Sequence, residues 1–195
     1  FDIASYKDMK SLFESTDEVT VIKTENGIYM HYLESSLFKK KKDVRIDLGF
    51  PIVHGTNCED GTMAGFMEFL GLPYISCDII SAAVGMDKAV FKDVLKSAGL
   101  PVLDCVLFRS REYALNKDKI LGEIKAKIGF PLIIKPVNLG SSVGITKVKD
   151  ETSLSDAIDL AVSFADKILA ERAIENLREI IPRQLFQVPI QASVG

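Results

Sequence analysis

The chain has 195 residues, 47% of them hydrophobic and 26% charged, with a formal net charge of −3. That apolar content excludes intrinsic disorder, the length suffices for one or two cores, and no run of about eighteen apolar residues exists to span a membrane. The slightly acidic balance provides no electrostatic footprint for nucleic acid. The basic run from Lys39 to Lys42 precedes Asp43 and Asp47 and reads as a solvated loop. The three cysteines, Cys58, Cys77 and Cys105, are odd in number and lack metal-ligand spacing, so free thiols in a reducing cytoplasm are expected. The opening FDIASYKDMK carries no initiator Met and no leader pattern, and is expected to be the interior of a longer gene product.

Val19 to Lys23 and Ile28 to Tyr32 flank Asn26-Gly27, a pattern that predicts a β-hairpin. Leu48 to Val53 predicts a buried strand ending at His54-Gly55, and Pro73 to Ser76 another short one. Between them Thr62 to Leu70 predicts a helix closed by Gly71. A break is expected at Ser81 to Met86. Asp87 then suits an N-cap for a helix with Val90, Phe91, Val94, Leu95 and Ala98 on one face, ended by Gly99 and Pro101. Downstream come a strand from Val102, a helix over Lys117 to Ile128, the strand Pro131 to Lys135, a Gly/Ser loop, and the strand Ile145 to Val148. A helix over Ser153 to Ala165 and the strand Lys167 to Glu171 close the pattern. Alternating strands and helices argue for an α/β chain. The segment after Ile180 has no period and reads as an irregular tail.

Lys135-Pro136-Val137-Asn138-Leu139-Gly140-Ser141-Ser142-Val143-Gly144 places a lysine at a strand end, followed by a Gly/Ser turn. Glycine permits positive φ, so that backbone N–H groups can converge on an anion, while Ser141 and Ser142 add hydroxyls and Lys135 a point charge. It is not a Walker loop, since no Gly-Lys-Ser/Thr leads into a helix. A plain hairpin with a snorkelling lysine is the alternative. The second segment, His54 to Thr62, runs from a strand end into a helix, where ligands commonly sit in open α/β sheets. There His54 could meet a carboxylate or relay a proton, Asp60 or Thr62 suits an N-cap, and Cys58 reads as an inert thiol. Lys88 lies in a first helical turn, where a cation opposes the macrodipole unless an anion is near. Glu171-Arg172 reads as an exposed pair or a ligand edge.

Taken in order, HGTxxEDGT (His54 to Thr62), GMDK (Gly85 to Lys88), AGLPV (Ala98 to Val102), Ile134-Lys135-Pro136, GSSVG (Gly140 to Gly144), and Glu171 with Arg178-Glu179-Ile180 resemble the D-alanine–D-alanine ligase family of ATP-grasp enzymes. Tyr74-Ile75-Ser76-Cys77-Asp78 and Asn176-Leu177-Arg178-Glu179-Ile180 lean toward its VanG-like D-alanine–D-serine, vancomycin-resistance branch. The resemblance covers about residues 44 to 180, with a weaker match before that. It implies a preATP-grasp-like N-terminal α/β domain over residues 1–84, the first ATP-grasp α+β subdomain over 85–180, and a non-matching tail over 181–195.

The implied reaction is ATP-dependent phosphorylation of one D-alanine and attack on the acyl phosphate by a second D-amino acid, in a cytoplasmic homodimer making peptidoglycan precursors. By motif position Lys88 and Lys135 would contact ATP phosphates. Glu171, Arg172 and the backbone through Ile174 would line the adenine slot, and Glu179 would meet the ribose. Ser141 would orient the first substrate, Ser142 would sit by the transferred phosphate, and His54 near the amino-acid pocket. The family usually has Lys where Arg172 stands, Gly at Cys58 and Gln at Ala64. Its N-terminal Gly-rich loop and the acidic and Asn ligands for Mg2+ have no counterpart here, so the metal ligands are expected outside this sequence. A truncated remnant that binds nucleotide or dimerises without catalysis is therefore the competing expectation. The family continues after Arg-Glu-Ile with Asn-Cys-Ser. Gln184-Leu185-Phe186 can be encoded by CAATTGTTC, whose shifted frame reads Asn-Cys-Ser, as a frameshift would leave it. Ordered pieces of a longer chain, joined, are the alternative.

Overall fold

A computed structural model describes residues 9–33 and 41–175. Lys39, Glu179 and the tail from 181 onward therefore lie outside the described residues. A short helix α1 (Met9–Ser15) precedes the expected hairpin, β1 (Val19–Thr24) and β2 (Gly27–Tyr32), in which Thr24 stands opposite Gly27. The Thr24 hydroxyl ties the turn by donating to the Gly27 carbonyl and accepting from the Asn26 N–H. β3 (Val44–Ile46), too short to show a pattern in sequence, adds antiparallel to β2.

Two expected strands are not formed. Leu48 to Val53 and Pro73 to Ser76 share one parallel bridge, Gly49 with Tyr74, and Phe50, Ile52 and Val53 are exposed. An apolar run becomes a strand only where neighbouring backbone completes its ladder. α2 (Thr62–Leu70) does end at Gly71, whose left-handed φ of 74° lets its N–H reach the Glu68 and Met67 carbonyls. Met67 and Leu70 pack with Ile28 and Leu72 in a small core. The N-cap is Gly61 rather than Asp60 or Thr62. Asp60 instead accepts from the Thr62 N–H at 3.0 Å and the Asn57 N–H at 2.8 Å, and so organises the preceding loop. The expected break at Ser81 to Met86 is occupied by α3 (Ile79–Met86), capped by Asp78 through the Ser81 N–H. Its residues are apolar nearly throughout, so no amphipathic period betrays it.

α4 (Lys88–Ser97) begins at Asp87 as expected. Beyond it lie β4 (Cys105–Arg109), α5 (Ser110–Leu115), α6 (Lys117–Lys127), β5 (Leu132–Pro136), β6 (Thr146–Val148), α7 (Leu154–Phe164) and β7 (Lys167–Arg172). The four strands form one sheet in the order β4-β7-β5-β6, antiparallel at every pair. One face carries Val106, Phe108, Leu132, Ile134, Ile168 and Ala170. It packs on Ile120, Ile124 and Ile128 at α6, and on Leu154, Ala157, Ile158 and Ala161 of α7. Ile124, Leu132, Ile134, Ile158 and Ile168 are fully buried, and each such side chain contributes about 1.5–3 kcal/mol. This is the main core. The alternation of strand side chains sends the intervening residues to the other face, which α4 partly covers.

Candidate active site

On that second face Cys105 of β4, Leu169 and Glu171 of β7 and Lys135 of β5 stand close together, because Glu171 pairs with Cys105 and Leu169 with Lys135 in register. Among the described residues Glu171 is the only buried charged side chain, 7% exposed. The expectation of an exposed pair therefore fails for Glu171, since its strand position turns it under α4. Its carboxylate is held from two sides, by the Lys135 ammonium on Oε1 and by the Lys92 ammonium at 2.8 Å from Oε2. Burial pushes the Glu171 carboxyl up, and the two ammonium groups outweigh it, holding it below the ordinary carboxylate range.

Lys88 adds a second cation to this end of the sheet. Its Nζ donates to the carbonyls of Val137 at 3.1 Å and Leu139 at 2.6 Å, and among the described residues no carboxylate pairs with it directly. Burial and then the nearby positive charge of Lys135 lower its basicity. Asp87 fixes where Lys88 starts. Its Oδ1 accepts from the N–H groups of Ala89 and Val90 at 3.1 and 3.0 Å, while Oδ2 pairs with Lys167 at 2.6 Å. The Val137 N–H in turn donates to the Lys167 carbonyl. The helix start, the end of β5 and the start of β7 are thereby tied together.

After Leu139 the chain makes the Gly/Ser turn, in which the positive φ expected of its glycines is found at Gly144 (69°) and also at Ser141 (50°) and Ser142 (59°), but not at Gly140. The Val143 N–H closes this turn on the Gly140 carbonyl at 3.2 Å. Two adjacent left-handed serines cost about 1–2 kcal/mol each, a strain of the kind found at ligand sites. Gly144, at φ 69°, must be glycine: a Cβ there would lie 2.9 Å from Pro136 Cγ and 3.0 Å from Phe164 Cδ2.

The His54 loop reaches the same place from the N-terminal side. A Cβ on Gly140 would come within 3.9 Å of Glu59 Oε2. His54 is exposed, and its Nδ1 lies 3.6 Å from Glu59 Oε1, so it does meet a carboxylate. The Gly55 N–H, donating at 2.6 Å, lowers the Glu59 carboxyl, and His54 adds to that effect. Behind Glu59 a cleft of about 340 Å³ is lined by Cys58, Ala64, Ser76, Cys77, Ser81 and Met86, among others.

The structure thus brings Lys88, Lys135, Glu171 and the Ser141-Ser142 turn together, with the His54–Glu59 loop alongside. Arg172 is not among them. It points to the opposite face of β7 and lines a groove with Leu103, Asp104, Lys127 and Ile128. Ile174 lines a separate cleft of about 450 Å³ with Phe130, Pro131 and Ala173. Sequence reasoning missed Lys92, although its i, i+4 spacing from Lys88 puts the two on one helix face. It also missed the Asp87–Lys167 pair, whose partners are 80 residues apart. A pair of amines beside a strained polar turn fits a polyphosphate. Among the described residues no three His, Cys, Asp or Glu side chains converge to hold a metal ion. Among them no helix is long and apolar enough to cross a membrane.

Comparison with known proteins adds to this geometry. The family model described as D-ala D-ala ligase N-terminus matches residues 5–77, and that described as D-ala D-ala ligase C-terminus matches residues 94–182. The D-alanine–D-alanine ligase of Natranaerobius thermophilus is 42% identical over 134 residues, which cover 69% of this chain and 37% of that protein. That of Chloroherpeton thalassium is 34% identical over 189 residues, covering 96% of this chain and 51% of the relative. Among solved structures, the VanG D-Ala:D-Ser ligase from Enterococcus faecalis superposes with a TM-score of 0.68 at 33% identity, over 86% of this chain and 46% of that one. The D-alanine–D-alanine ligase from Helicobacter pylori gives 0.67 at 29% identity, over 89% and 47%. The chain spans about half the length, or less, of the relatives it matches.

Proposed function

The chain belongs to the D-alanine–D-alanine ligase family, and from that premise we propose that it serves ATP-dependent ligation of D-alanine to D-alanine or D-serine through D-alanyl phosphate, for peptidoglycan precursors. The observation that carries this reading is the clustering of Lys88, which bonds the Leu139 carbonyl at the entry to the Gly/Ser turn, with Lys135 and the buried Glu171. Lys88 and Lys135 bind the ATP phosphates, and their charge stabilises the phosphoryl group as it transfers. Glu171 and the backbone near Ile174 line the adenine slot, with Glu179 on the ribose. Ser141 orients the first D-alanine, and Ser142 sits by the transferred phosphate. His54, steadied by Glu59, borders the amino-acid cleft. Closure around both substrates supplies the proximity on which such a reaction depends. Magnesium, when bound, would supply charge neutralisation at the phosphates.

We divide the chain into an N-terminal substrate-side domain to residue 84 and an ATP-grasp subdomain from 85 to 180, a reading supported by the two separate sheets. The D-serine branch is favoured by the Tyr74 to Asp78 segment and by the likeness to the Enterococcus faecalis enzyme. We read the protein as a cytoplasmic homodimer. A second reading is a module that binds nucleotide or dimerises without turnover.

Two measurements test these readings. Lys135→Ala is expected to weaken ATP binding by about tenfold or more, while exposed Lys149→Ala leaves it unchanged; equal affinities remove Lys135 from the site. Phosphate release from D-alanine and Mg-ATP by the mass-verified chain supports the ligase, and ATP binding without release supports the module.

A further inference from the structure

Glu171 is bracketed asymmetrically. Lys135 stands near the end of β5, its side chain 17% exposed and its positive charge close enough to Lys88 to lower that residue's basicity. Lys92 stands on α4, one turn after Lys88, and is 13% exposed. Its Nζ is also anchored by the Leu103 carbonyl at 3.0 Å. With a carboxylate and a carbonyl already in its shell, Lys92 is held on the side of Glu171 away from Lys135. Lys135 itself is engaged with Glu171 through Oε1.

We propose that Lys92 is a positioning residue of the nucleotide site: it is the standing counter-ion of the buried Glu171 carboxylate, which frees Lys135 to move from Glu171 to a phosphate oxygen. The physical reason is the cost of a buried charge left without a partner. With Lys92 present, a phosphate that draws Lys135 away leaves a paired, hydrogen-bonded carboxylate behind. With Lys92 absent, the phosphate must either compete with Glu171 for Lys135 or strand Glu171 alone. Lys88 needs no such relief, because carbonyl oxygens hold it and, among the described residues, no carboxylate pairs with it directly.

The inference rests on the nucleotide reading of this site, and the test separates the two. ATP affinity is measured by calorimetry on the native chain, with folding checked by thermal melting. The variants are Lys135→Ala, Lys92→Met, Lys92→Arg, Glu171→Gln and the double variant Lys92→Met/Glu171→Gln. Lys92→Met is expected to weaken ATP by about tenfold or more, and Lys92→Arg, which keeps the charge, to stay within about threefold of the native chain. Because Lys92 acts through Glu171, adding Lys92→Met to Glu171→Gln should change affinity by less than about twofold. Should Lys92→Met fail to fold, Lys92→Gln, which keeps a donor toward Leu103, takes its place in the same cycle. If Lys135→Ala weakens ATP but Lys92→Met does not, or if the two losses simply add, the positioning role is overturned and the site reading stands. If Lys135→Ala binds ATP like the native chain, or the native chain does not bind it, the site reading falls and this inference with it.

Discussion

Asp87 does two jobs, and substitution can separate them. Its Oδ1 accepts two helix N–H groups at 3.1 and 3.0 Å, and its Oδ2 pairs with Lys167 at 2.6 Å. An N-cap is worth about 1 kcal/mol. The ion pair is partly exposed (20% and 31%), so screening limits it to about 0.5–1 kcal/mol. Asp87→Ala should therefore cost about 1.5–2 kcal/mol in urea denaturation, a fall of several degrees in melting temperature. Asp87→Asn keeps a capping oxygen and loses the charge, so it should cost only about 0.5–1 kcal/mol. The pH dependence follows in sign. Burial raises the Asp87 carboxyl, but Lys167 and the Val90 N–H bring it below its ordinary value of about 3.9. Its contribution is thus complete above about pH 4 and is lost as pH falls through the lower folded value. If Asp87→Asn were as damaging as Asp87→Ala, or if Asp87→Ala lay within about 0.3 kcal/mol of the native chain, the cap argument would be wrong.

Other outcomes follow from the same geometry. Gly144→Ala should lower stability by about 2–4 kcal/mol, combining left-handed strain with the clash against Pro136 and Phe164, as a denaturant midpoint would record. Ile158→Ala empties a fully buried site between α7 and the sheet and should cost about 2–5 kcal/mol in the same assay. Ser142→Gly should hold or raise stability by up to about 1 kcal/mol, since strain relief at φ 59° offsets the added chain entropy. Its ATP affinity should fall, and a variant that binds ATP like the native chain would dissociate Ser142 from the phosphate. The depressed Glu171 carboxyl adds to the acid loss described for Asp87, so Glu171→Gln should flatten the stability profile below about pH 4.5.

Much of the fold was legible because local chemistry marked it. Asn26-Gly27 located the hairpin, Gly71 the end of α2, Asp87 the start of α4, and the Ile120, Ile124, Ile128 spacing the face of α6. Illegible elements lacked a local mark. α3 is apolar without a period, β3 is three residues long, and the strand expected at Leu48 to Val53 has only a single-bridge neighbour among the described residues. At the site, Lys88, Lys135 and the two serines stood out by residue type and spacing. Arg172 was grouped with Glu171 because they are adjacent in sequence, yet adjacent strand residues face opposite ways.

The amino-acid order by itself determined the α/β class, the helix caps and the chemical character of the two motif loops, since these depend on residues within a few positions of one another. Only the tertiary structure decided that Glu171 is buried between Lys92 and Lys135, that Glu59 approaches Gly140, and that left-handed backbone falls on Ser141 and Ser142 as well as on Gly144. The first of these depends on the antiparallel register of β7 with β5 and on where α4 lies across the sheet. Such contacts join residues up to about eighty positions apart, and no local pattern of polarity or turn chemistry carries such a pairing.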